Sequence, residues 1–174
     1  GMESPLTVTQ MLWVNLIMDT FAAMALSSLP ADPGVLNEKP RDPASHIISR
    51  GMFKQIVGMG LVFFGVLVGL WQLLLHADVT RVVDIFDAER VAQHITPYEM
   101  GIFFSVFVML QFWNMFNAKA FMTGRSAFAG IWQSKSFLWV IVLIIGGQYI
   151  IVTFGGKMFN VVPLSLTEWL CISA

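Results

Sequence analysis

Four stretches of this chain are apolar over the length a helix needs to cross a lipid bilayer, and this limits what the chain can fold into. A hydrocarbon core is about 30 Å thick, which an α-helix spans with roughly 20 residues. The stretches run over residues 6–29, 53–75, 97–118 and 137–154. No water reaches the backbone in a bilayer, so each stretch must satisfy its N–H and C=O groups internally, as a helix. A further apolar stretch, 161–174, opens on a helix-like Leu164–Leu170 and is too short to span. The expected fold is an all-α membrane protein, a helical transmembrane bundle of four full spans plus a truncated fifth. Charged residues make up 12% of the chain, half the roughly 25% usual for a soluble domain. A net charge of −1 leaves no field that would favour nucleic acid as a partner. Cys171 is the one cysteine, which excludes an intrachain disulfide.

The connections between spans set the orientation. Lys39, Arg41, Arg50 and Lys54 lie in or beside the first, and Lys119, Arg125 and Lys135 in or beside the third. Arg81, Arg90 and Lys157 lie on the opposite side, so seven cations face three. The richer side is cytoplasmic by the positive-inside rule. The cytoplasmic loop 30–52 holds Pro30, Pro33, Pro40 and Pro43, a spacing that breaks helices and favours an extended path. On the outer side, residues 78–93 mix charged with apolar positions and read as a short amphipathic surface helix. Thr96-Pro97-Tyr98-Glu99 reads as a capping box with proline at the first helical position, which starts the third span at Pro97.

Polar groups inside the spans carry the chemistry. An Asp at the centre of a membrane helix costs roughly 2.5–3.5 kcal/mol on insertion scales, so it faces a bundle interior or aqueous cavity and has a partner. Asp19 sits near the middle of the first span with Asn15 four residues earlier, on one helical face. Together they offer a carboxylate and a carboxamide oxygen, hard ligands suited to calcium, magnesium or another oxygen-seeking cation. The third span places Gln111, Asn114 and Asn117 three residues apart, where amides either assist such a site or bond helix to helix. Gln148 in the fourth span reads as a structural amide. Gly65 and Gly69 form a small-xxx-small pair that predicts close helix packing. A cation channel, a carrier and a proton relay are all compatible with these faces.

The segment Gln10–Thr20, QMLWVNLIMDT, closely resembles the sixth membrane helix of P-type calcium ATPases, the plasma-membrane branch in particular. Leu12, Trp13, Val14, Asn15, Leu16 and Asp19 carry that match. Pro30, Pro33, Leu36 and Lys39-Pro40-Arg41 resemble the family's following loop. VMLQFWNMFNAK at Val108–Lys119 is similar to its eighth helix, VTFGGKMF at Val152–Phe159 to its ninth-to-tenth loop, and Leu166–Leu170 to the opening of its tenth helix. The resemblance covers nearly all of residues 1–174, as a C-terminal transmembrane cation-transport domain running from helix six to early helix ten.

It implies that Asn15 and Asp19 are ligands of transported calcium, with Gln111 and Asn114 in a supporting shell. The sarcoplasmic-reticulum branch has Thr where this chain has Met18, and a carboxylate where it has Gln111. Both departures favour one ion per cycle, as in the plasma-membrane branch. The resemblance further implies ATP and magnesium as cofactors of the full-length pump, bound outside this chain. Its partners would be the lipid bilayer and an N-terminal part comprising helices one to five and the cytoplasmic domains. It implies a multi-pass integral protein of the cell membrane. The 174 residues contain no DKTGT, TGE or GxxxxGK[ST] motif, so no catalytic residue is expected here. Two other functions fit the same residues: a P-type ATPase for manganese, sodium or protons, and a stand-alone, non-enzymatic membrane subunit or pore.

Overall fold

A computed structural model of the chain describes residues 6–29, 37, 48–76, 96–124, 126–129 and 131–173. Most of the proline-rich connection, and the surface helix expected at 78–93, lie outside the described residues. The first span is helix α1 (Val8–Asn15), a π-helical segment (Leu16–Ala22) and helix α2 (Ala23–Ser27) in one continuous run. Three long helices follow: α3 (Arg50–His76), α4 (Pro97–Thr123) and α5 (Lys135–Phe154). The short helices α6 (Gly156–Phe159) and α7 (Leu166–Ser173) complete the chain. Four helical runs are long and apolar enough to cross a membrane, and no described residue is in a strand.

Local chemistry sets the ends of these helices. The Thr7 hydroxyl accepts from Gln10 N–H while the Gln10 side chain accepts from Thr7 N–H at 2.9 Å, so α1 starts on a capping box. The box expected at Thr96 is present, with Pro97 at the first helical position and Gly124 closing α4 at φ 62°. Ser134 caps α5 by accepting from Phe137 N–H, and Ser165 with Glu168 forms the same reciprocal pair for α7.

Packing centres on α4. Ile102, Phe104 and Val108 of α4, and Phe137 and Ile144 of α5, are fully buried. Phe116 meets Phe137 edge-on at 5.7 Å, which joins α4 to α5. Trp71 meets Phe103 edge-on at 5.4 Å, which joins the last turns of α3 to α4. Earlier along α3, Phe53, Leu61 and Phe64 are exposed, as lipid or another membrane helix would require. A Cβ added at Gly65 or Gly69 would meet nothing within 4 Å. The close packing expected there is absent among the described residues, because α3 touches α4 through its large side chains at Leu70–Leu74 instead.

The bundle has two distinct ends. At one, Ser28 meets Ser134, Gly51 approaches Phe121, and Arg50, Lys54, Lys119 and Lys135 are gathered. At the other, Gln10 Nε2 donates to the Phe159 carbonyl at 2.7 Å and the Tyr98 hydroxyl donates to Glu168 at 2.5 Å. Lys157 is the cation placed there among the described residues.

Candidate cation site on the first span

The first span is held from behind and left open in front. Its buried positions are Gln10, Val14, Ile17 and Ala25, a helical stripe with Trp13 and Phe21 packed beside it. That stripe faces α5 and α6 and is fastened at three depths. Gln10 bonds to Phe159, Trp13 Nε1 donates to Gln148 Oε1 at 2.9 Å, and the Ser134 hydroxyl reaches the Ser28 hydroxyl at 3.4 Å. The opposite stripe, Val8, Met11, Leu12, Leu16 and Met24, is exposed along its whole length. Asn15 belongs to this open stripe, and no hydrogen bond reaches its side chain among the described residues.

Asp19 falls in the middle of the π-helical segment. A π-helix bonds i→i+5 and appears mostly as short insertions in α-helices, frequently at functional sites. Asn15 is the last α-helical residue before it, so the change of backbone geometry falls between the two candidate ligands. The structure describes Asp19 in its backbone only. Nothing in the hydropathy of LIMDTFA marks this segment; the polar pair inside an apolar run is the one signal the sequence offers.

The amides of the third span sit elsewhere. Gln111 and Asn114 are half-buried on α4, and no hydrogen bond reaches either side chain among the described residues. Asn114 lines a cavity of about 350 Å³ with Met59 and Phe63 of α3 and with Ala118 and Phe121. It therefore faces α3, while Asn15 occupies the open stripe of α1. Among the described residues no three His, Cys, Asp or Glu side chains cluster as metal ligands.

Residues 3–174 match the family model described as cation transporting ATPase, C-terminus. The chain belongs to that family. It is 38% identical to the human plasma membrane calcium-transporting ATPase 3 over 97% of its own length and 13% of the relative's. It is 37% identical to the plasma membrane calcium-transporting ATPase 2 of Oreochromis mossambicus over 97% of its length and 15% of the relative's. It is 31% identical to the calcium-transporting ATPase PAT1 of Dictyostelium discoideum, again over 97% of its length and 15% of the relative's. The chain spans about one seventh of these curated relatives. With four membrane-length helices, it is a multi-pass integral membrane region of a cation-transporting ATPase.

Proposed function

We propose that this region is the C-terminal transport part of an ATP-driven calcium pump of the plasma membrane, with Asn15 and Asp19 ligating the transported ion. The observation that carries the proposal is the open stripe. The first span is fastened to α5 and α6 on one side, and Asn15 stands on the other beside the π-helical segment that holds Asp19. The relatives named above are calcium-transporting ATPases, which supports calcium as the cargo.

Asp19 supplies negative charge and Asn15 a neutral oxygen. Calcium takes six to eight oxygens, so the remaining ones come from water and from helices facing the open stripe. The phosphorylation, nucleotide-binding and dephosphorylation steps belong to segments of the pump outside these residues. Proline-rich loop 30–52 is the connection through which they would act on the first span. Gln111 and Asn114 act at one remove, through water, because Asn114 sits against α3. With Met18 and Gln111 where a second site would need hard ligands, one calcium ion moves per cycle.

Asp19→Asn in the complete pump tests the assignment. It should abolish calcium-dependent phosphorylation; unchanged calcium affinity would sink the ligand role. Counting calcium ions moved per ATP in sealed vesicles tests the stoichiometry, and a ratio near two would overturn it. Competition of manganese, sodium and protons against calcium in the same vesicles tests the choice of ion.

A further inference from the structure

The Trp13 indole joins the helix bearing Asn15 and Asp19 to the buried interior of the bundle. Its Nε1 donates to Gln148 Oε1 at 2.9 Å, and Gln148 Nε2 donates in turn to Ser105 Oγ at 3.5 Å. Gln148 and Ser105 are both fully buried. An indole nitrogen is a donor only, so it dictates which end of the Gln148 amide faces it. Turning that amide over would leave the partly buried indole N–H facing the amide's NH2 group in place of an acceptor, at a cost in free energy.

Gly147, the neighbouring residue on α5, makes room for the ring. A Cβ there would lie 2.6 Å from Trp13 Cη2 and 2.8 Å from Cζ2. Such separations exclude any side chain at Gly147 unless the indole moves. Trp13 also meets Phe21 edge-on, with ring centroids 6.3 Å apart. Trp13 precedes Asn15, and Phe21 follows Asp19 within the π-helical segment. One indole therefore touches the first span on both sides of the candidate ligand pair and bonds to α5 at the same point.

We propose that Gln148 and Gly147 are positioning residues for the cation site, acting through Trp13 to fix how Asn15 and Asp19 are presented. This rests on the reading of Asn15 and Asp19 as ligands. Groups bonded directly to metal ligands typically change metal affinity by about 10–100-fold when replaced, and Gln148, one step further back through Trp13, belongs at the lower end of that range.

The experiment uses the complete pump in membrane vesicles and reads two quantities: the calcium concentration that half-saturates phosphoenzyme formation, and the maximal phosphoenzyme level. Gln148→Met should raise the half-saturating calcium roughly tenfold while largely preserving the maximal level. Trp13→Phe, which keeps a ring and loses the N–H, should act the same way. The double variant should be no worse than the worse single variant, because both remove one shared bond. A merely structural role would lower the amount of folded pump and leave the half-saturating calcium unchanged. That result, or additive penalties in the double variant, overturns the proposal. Should Gln148→Met fail to reach the membrane, Trp13→Phe decides by the same readout. Asp19→Asn run alongside separates the two levels. Lost calcium dependence there, with wild-type behaviour at Gln148→Met, removes only the positioning role. Normal calcium dependence in Asp19→Asn removes the ligand reading and the positioning role together.

Discussion

Gln10 and Phe159, 149 positions apart in the chain, are joined by a 2.7 Å hydrogen bond from the Gln10 amide to the Phe159 carbonyl. The same side chain closes the capping box at Thr7, so one fully buried amide both starts α1 and docks it beside α6. Gln10→Leu would keep the approximate volume and leave the Thr7 N–H and the Phe159 carbonyl without their partner. The expected loss is about 1–3 kcal/mol, read as a lower unfolding temperature of the purified pump in detergent.

Adjacent glycines on α5 should answer oppositely to alanine. A Cβ at Gly146 meets nothing within 4 Å, whereas one at Gly147 runs into Trp13. Gly146→Ala should be neutral or stabilising by up to about 1 kcal/mol through helix propensity. Gly147→Ala should destabilise by roughly 1–3 kcal/mol through overpacking. Parallel thermal unfolding of the two variants checks the contrast; equal effects would contradict the contact.

Lys119 should hold the connection between α4 and α5. It is 2% exposed, and its ammonium donates to the carbonyls of Ala127 at 3.0 Å and Ala129 at 2.5 Å. Lys119→Met retains the aliphatic length and deprives both carbonyls of their donor, at about 1–3 kcal/mol. Hydrogen exchange over residues 126–134 should accelerate while exchange in the middle of α5 stays unchanged.

Tyr98→Phe should loosen α7 from α4 and little else. The Tyr98 hydroxyl donates to Glu168, whose other carboxylate oxygen accepts from Ser165 N–H in the α7 cap. Removing the hydroxyl leaves the cap intact, so only exchange protection in α7 should fall, by about tenfold if the charged bond is worth about 1.5 kcal/mol.

The helices were legible in the sequence where hydropathy and capping coincide. Pro97 begins α4 as expected, because Thr96 and Glu99 cap it reciprocally. Hydropathy placed some ends short, where a helix continues past the apolar run, and set the first span two residues too long at each end. α3 begins at Arg50 rather than residue 53, taking in Arg50, Gly51 and Met52. α4 runs past residue 118 to Thr123, since Lys119 folds its charge onto loop carbonyls instead of ending the helix. Ser165 and Glu168 carry a capping signal for α7 that hydropathy alone does not reveal. The polar pair Asn15 and Asp19 is legible in the sequence, since carboxylates are rare in apolar runs. The face that Asn15 occupies could not be read, because it depends on partners from α5 and α6 more than 130 positions away. The bonding role of Gln148 was hidden for the same reason.

The π-helical segment has a mechanical consequence. Relative to α geometry its i→i+5 bonding takes an extra residue into the turn, and one residue of register corresponds to about 100° of rotation about the helix axis. Helix α1 is tied by bonds of 2.7 and 2.9 Å, and the residue that caps α2, Ser28, by serine contacts of 3.4 and 3.5 Å. Ala25 in the second half is fully buried in the core that α5 shares, so a change of register at Leu16–Ala22 would have to repack it as well as break the serine contact. The π-helical segment thus sets the register between two packed halves of the first span, with Asp19 at its middle.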